Sequence, residues 1–251
     1  MSRDSKPTPT PETAEEPREI ERWMYQFTAQ LAHDMRAPMG AIFMWAHVLR
    51  ASENGDLGAA IDAIETSARQ QSRMLGDLVD MARAVVGRLP LDRGAVDLRL
   101  LAQAAVDEKA KDASVRRVVV DAPRDPPSAG ALVIRADPKR VQQALACVII
   151  HAIATTPAGG RVELRLSRQG DQAEVRVRMP VGGLAAEAVA DLFTPYRAVG
   201  LDLTSARPDF GMGLSFARSV ARLHGGSLEV ENEGPAAPFT LVFRLPLVPN
   251  S

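Results

Sequence analysis

The chain has a single cysteine, Cys147. No disulfide can form within it and a cysteine-built zinc site is excluded, which fits a reducing cytoplasm. Lysine is almost as scarce. Lys6, Lys109, Lys111 and Lys139 are the only four, and arginine supplies the rest of the 30 basic side chains. Against 31 acidic ones the net charge is −1, so there is no general basic field and no nucleic-acid partner is expected. Long apolar runs are missing too. The longest, Ala144 to Ala154, contains His151 and falls far short of the roughly 20 residues of a spanning helix. The N-terminus lacks a basic stretch followed by an apolar one, so neither export nor membrane insertion is expected, and a cytoplasmic location is. What is present is 251 residues with 46% hydrophobic side chains. That is enough for a real core, in one large domain or two small ones.

Residues 1–17, with four prolines and many small polar residues, read as a disordered tail. Organised sequence begins near residue 18, which leaves no room ahead of it for a sensor domain. Residues 18–50 read as one long helix, with Phe27, Leu31, Met35, Pro38, Ile42, Trp45 and Leu49 at steps of three or four. Pro38 interrupts it and kinks it. A second helix from about 57 to 86 carries a heptad seam: Leu57, Ile61, Ile64, Ala68, Gln71, Leu75, Leu78, Ala82 and Val85. A lone hairpin cannot cover both stripes, so two copies are expected to pair into a four-helix bundle. Gln71 is placed to fix register in that seam, or is simply tolerated there. Past a linker at 89–96 the pattern becomes mixed. Helical stretches lie at about 97–112, 138–154, 185–192 and 213–224. Strand-like runs lie at 117–121, 132–136, 161–167, 173–179, 227–231 and 240–245. Alternation in 161–167 and 173–179, around RQGD, predicts a hairpin with one wet face. Helices on the other face would give a two-layer sandwich. The expected fold class is α+β.

Three groups of residues carry chemistry. His33 lies off the apolar seam beside Asp34, with small neighbours Ala37 and Gly40 on its face. A neutral imidazole can attack phosphorus, and an adjacent carboxylate can fix its tautomer and raise its basicity. On spacing alone, a solvated histidine on a charged helix is the plainer reading. Cys147 and His151 share a helical face four residues apart, but two ligands do not make a metal site, and a buried, hydrogen-bonded histidine is the default. Gly211 and Gly213 read as a helix-start turn, a weak signal by itself.

In sequence the segment HDMRAPM, residues 33–39, resembles the phosphoacceptor box of two-component sensor histidine kinases, commonly HELRTPL, and the likeness runs without large gaps to Leu247. It implies a dimerisation and phosphoacceptor domain over 18–88 and an ATPase domain of the histidine-kinase type over 97–248. It makes His33 the phosphoacceptor, Asp34 the acid that assists it and Pro38 the kink below the site. Family members usually have Thr or Asn four residues after the histidine to position a dephosphorylating water. Ala37 cannot do this through its side chain, so weak phosphatase activity is expected. Residues 137–162 resemble the family's N-box helix, yet its two asparagines are replaced by Cys147 and His151, its lysine by Ala154 and its aromatic by Thr155. Residues 174–198 resemble the next nucleotide motif, with Met179 at the adenine-binding aspartate and Val181 and Gly183 at the two glycines. Residues 211–232 are better kept: Gly211, Gly213 and Leu214 match the phosphate-backing turn, and Gly225 and Gly226 its closing turn. The residual nucleotide positions are thus Gly183, Gly211, Gly213 and Leu214, in a degenerate ATP site.

The resemblance therefore implies a phosphorelay protein carrying phosphoryl on His33 and exchanging it with response-regulator receiver domains. It implies a homodimer, with another histidine kinase as a further candidate partner, and no resident metal or cofactor. Two other readings stay open. One is an active kinase, which would need ATP and Mg²⁺. The other is a non-catalytic regulator that binds a response regulator or a kinase.

Overall fold

The computed structural model describes residues 35–49, 57–121, 123, 131–182, 189, 191–194, 213–231 and 238–249. The expected tail 1–17, His33, Asp34, Gly183, Gly211 and the loop 197–210 lie outside the described residues, as does most of the helix expected at 185–192. The chain divides into two compact units, Met1–Gly76 and Asp77–Ser251.

In the first unit, helix α1 covers residues 35–49 and continues through Pro38, which is buried. Met35, Ile42, Trp45 and Leu49 are half-buried on the stripe that their spacing predicts. Ala37, Gly40, Met44 and His47 form an exposed stripe on another face. Helix α2, Leu57–Val85, begins in this unit. Its inward face is Ala60, Ile64, Ser67 and Gln71. The expected seam therefore divides. Ile64 and Gln71 turn inward, while Leu57, Ile61 and Leu75 stay exposed, at 59%, 44% and 44%. Gln71 Nε2 is buried without a hydrogen-bond partner.

The second unit takes in the last turns of α2, where Met81 and Ala84 are buried. Strand β1, Gly94–Asp97, then pairs antiparallel with β3, Val133–Ala136. This corrects the linker expected at 89–96, whose last three residues belong to the strand. Four residues starting with glycine carry no readable alternation; the pairing with β3 makes the strand. Asp97 caps helix α3, Leu98–Arg116, by accepting the Arg99 N–H at 3.0 Å. The helix ends on Arg117, a left-handed residue with φ 54°. Strand β2, Val119–Val120, is shorter than the run expected at 117–121.

Strands β4 (Arg161–Gln169), β5 (Gln172–Gly182), β6 (Ser227–Glu231) and β7 (Pro238–Pro246) complete a sheet ordered β2-β4-β5-β7-β6. Only the β2–β4 pairing is parallel. The β4–β5 turn is tighter than RQGD, because Gly170 takes φ 64° at its first position and lets Gln169 and Gln172 pair. Val162, Leu164, Leu166, Val175, Val177, Leu241 and Phe243 point to one face and are fully buried. Burying each such Val, Leu or Phe side chain contributes roughly 1.5–3 kcal/mol. Helix α4, Pro138–Thr155, covers that face between α3 and α5, Gly213–Leu223. The opposite face carries arginines and glutamates. This is the two-layer α+β sandwich that the alternation predicts. Gly225 (φ 76°) and Gly226 close α5, and a Cβ on Gly226 would collide with the Arg244 carbonyl.

Candidate functional site

Helix α4 is set by its ends. Asp137 accepts the Arg140 N–H at 3.1 Å, and Pro138 fills the first turn, where no intrahelical N–H is needed. At the other end the Thr156 N–H and hydroxyl both donate to the Ala152 carbonyl, at 3.1 and 2.7 Å. Between these caps Arg140, Gln143, Cys147, His151 and Ala154 follow one another along one side of the helix, half-buried except for Cys147, which is buried. Arg140 pairs with Asp80 at 2.5 Å, and Gln143 donates to Asp77 at 3.2 Å, both on the last turns of α2. Burial first, and then the Asp80 carboxylate, raises the pKa of Asp77. Cys147 and His151 sit one turn apart as expected. Among the described residues no group of three or more His, Cys, Asp or Glu side chains is placed to hold a metal ion.

Met179 ends the regular part of β5. It is fully buried opposite Phe239, just before the register shifts ahead of Gly182. Its sulfur lies 3.3 Å from the Thr155 hydroxyl, which also lies 3.0 Å from the His151 carbonyl. The hydroxyl has one proton for these acceptors. The two positions at which the resemblance expects an aspartate and an aromatic ring therefore touch each other. Gly213 and Leu214 open α5 and are buried.

Sequence reasoning missed a bracket around Asp137. The His224 imidazole is 8% exposed. Its Nε2 accepts the Asp137 N–H at 3.0 Å, and its Nδ1 lies 2.8 Å from the Val220 carbonyl. That pattern needs a neutral ring with its proton on Nδ1. Burial lowers its pKa, Arg93 adds to this, and the Val220 bond and Asp137 oppose it. The Asp137 carboxylate also accepts the Asp92 N–H at 2.9 Å. Arg93 in turn donates to the Leu223 carbonyl at the end of α5. The only sequence signal was a histidine before a Gly-Gly pair.

Two family descriptions match this chain. Residues 23–86 match the His Kinase A (phospho-acceptor) domain. Residues 136–249 match the histidine kinase-, DNA gyrase B- and HSP90-like ATPase. The chain belongs to the histidine kinase family. It is 29% identical over 232 residues to the histidine protein kinase DivJ of Caulobacter vibrioides, covering 89% of this chain and 37% of DivJ. It is 30% identical over 229 residues to the adaptive-response sensory kinase SasA of a Synechococcus species, covering 86% of this chain and 59% of SasA. This chain thus spans only part of the length of these relatives. Its fold matches full-length ShkA in complex with AMPPNP, with a TM-score of 0.63, 21% identity, and 89% of this chain and 46% of that one covered. It also matches ThkA in complex with the response regulator TrrA, with a TM-score of 0.56, 18% identity, and 94% and 66% covered. A histidine kinase ATPase fold implies ATP and Mg²⁺. The described residues do not fit that group. Where the resemblance places the adenine acceptor there is the buried Met179 thioether, and where it places the metal-binding amide oxygen there is the His151 imidazole, a poorer ligand for a hard cation. Among the described residues no helix is long and apolar enough to cross a membrane.

Proposed function

We propose that this chain is a cytoplasmic two-component phosphotransfer protein, with a phosphoacceptor and dimerisation domain over 18–88 and a pseudokinase domain over 97–248. The observation that carries the reading is the Met179–Thr155 contact, set beside the HDMRAPM box, which keeps the histidine, acid, arginine and proline of the resemblance. Losing the adenine acceptor and the metal ligand removes about 3–6 kcal/mol if the losses add, since a lost buried hydrogen bond is worth about 1–3 and a contact that involves charge more. That corresponds to a hundredfold to ten-thousandfold weaker nucleotide binding. Phosphoryl transfer from ATP relies on positioning and charge neutralisation, so the rate suffers further.

The His33 side needs no nucleotide. Its ring nitrogen attacks the phosphorus of a receiver's aspartyl phosphate. The new N–P bond forms as the acyl O–P bond breaks, and the aspartate leaves as a carboxylate. Asp34 holds the tautomer that keeps the attacking nitrogen unprotonated. The same step run backwards delivers the group to a second receiver, which brings its own acidic pocket and Mg²⁺. Ala37, Gly40, Met44 and His47 supply a smooth exposed stripe for docking. ThkA, a relative in fold, is seen in complex with a response regulator. The exposed Leu57, Ile61 and Leu75 support a homodimer, in which a second copy covers them.

The experiment has two arms. With labelled ATP and Mg²⁺ the chain is expected to take up no label. With a phosphorylated receiver, label is expected on His33 and to vanish in His33→Ala. Label from millimolar ATP would establish the kinase instead, a reading favoured by the kept Gly213 helix start. Receiver binding that survives His33→Ala without any label would establish a non-catalytic regulator.

A further inference from the structure

The outer face of the sheet is a ladder of opposite charges with one misfit. Glu163 stands opposite Arg178, and Glu174 opposite Arg244, as cross-strand pairing favours. Arg165, however, stands directly opposite Arg176. Like charges in that position destabilise a sheet. The neighbouring carboxylates do not resolve the conflict. Arg176 is held by Glu174 at 3.1 Å and by Glu231, whose carboxyl is kept below the usual range by that bond. Arg244 takes Glu174 at 2.8 Å and Glu229 at 2.6 Å. Glu163 alone is left to serve both Arg165, at 3.5 Å, and Arg178, at 3.6 Å. Both distances are at the outer limit of an ion pair, and the two arginine side chains are 70% and 50% exposed.

These side chains line one cleft of about 290 Å³, with three guanidinium groups facing two carboxylates, Glu163 and Glu231, and the Thr240 hydroxyl. Glu174 and Glu231 already satisfy Arg176, so two of the cleft's guanidinium forks, those of Arg165 and Arg178, are left only loosely engaged. A tetrahedral oxyanion offers paired oxygens to such forks, and a dianion offers enough charge for both at once. We propose that this cleft binds a compact phosphate-type dianion, gripped by Arg165 and Arg178 above Arg176, with Glu163 swinging aside to admit it. The site lies on the face opposite α4 and does not depend on the phosphotransfer reading.

The test uses the full chain, calorimetric titration, and sodium chloride to hold ionic strength constant. Inorganic phosphate and phenyl phosphate are the two probes, and they separate a free-phosphate site from a phosphate-ester site. Saturable millimolar binding of at least one is expected. Glu163→Gln removes the competing carboxylate and should tighten binding at least threefold. Arg165→Gln with Arg178→Gln should weaken it at least tenfold, and both side chains are exposed enough for the fold to tolerate the change. Failure of both probes to bind, unchanged or weaker binding in Glu163→Gln, or full binding in the double variant would each overturn the proposal.

Discussion

Helices α1 and α4 each carry one stripe of residues on which the resemblance places chemistry or docking, and the two stripes differ in kind. On α1 the stripe is Ala37, Gly40, Met44 and His47, exposed and small at its first two positions. On α4 it is Arg140, Gln143, Cys147, His151 and Ala154, where family resemblance expects amides and a lysine at the last three positions. The capping of α4 is complete at both ends, and its packed face is apolar throughout. Its scaffold is complete, while the side chains at the positions where the resemblance places the chemistry are of other types. On α1 the resemblance is closer, with Arg36 and Pro38 of the box kept and Ala37 the one departure on the stripe. A fold can outlast its ligand because caps and core do not depend on the residues that touch the ligand.

The sharpest way to break this comparison is to put the chemistry back. Met179→Asp restores the adenine acceptor but buries a carboxylate among apolar neighbours. It should cost at least about 3 kcal/mol of unfolding free energy, against less than about 1.5 for Met179→Leu. Equal urea midpoints for the two variants would mean that the pocket is open and still adapted to nucleotide. Next in size is Asp137→Ala, which removes the cap of α4 and the anchor for Asp92. A loss of about 2 kcal/mol is expected, with faster amide exchange in the first turn of α4.

The bracket around Asp137 also makes a pH prediction. The folded chain holds His224 neutral, with its pKa below the ordinary value near 6.5. The unfolded chain takes up the proton first, so stability falls as pH drops below about 6.5 and levels off below the folded pKa. His224→Gln keeps a donor and an acceptor without titrating. Its urea midpoint should decline less than that of the wild type between pH 7 and pH 5. The smallest expected effect on stability is at Ala37. Replacing this exposed residue by Thr should change stability by less than about 0.5 kcal/mol. It should nevertheless speed the loss of phosphoryl from a phosphorylated receiver, and an unchanged rate would show that more than the missing hydroxyl separates this surface from a phosphatase.

Much of this was legible in the residues. The period-2 alternation of Val162, Leu164 and Leu166 gave the sheet its two faces, and steps of three and four gave α1 its stripe. The extent of α4 was read at about 138–154, within a residue of its observed bounds. Other features depend on contacts distant in sequence. Strand β1 exists because β3 pairs with it. The α2 seam divides because helical periodicity marks apolar positions without saying which neighbour covers them. His224 read as an unremarkable residue before two glycines, and its partner is 87 positions away. The replacement of Asn by His151 and of Asp by Met179 was visible, but their surroundings were not.

Strand β2 is two residues long, and strand β6 at the far side presents Glu229 and Glu231 outward. Each border of the sheet thus offers a neighbouring strand either almost no ladder to extend or a strand bearing charged side chains. Strand-to-strand growth from the described sheet is therefore blunted on both sides.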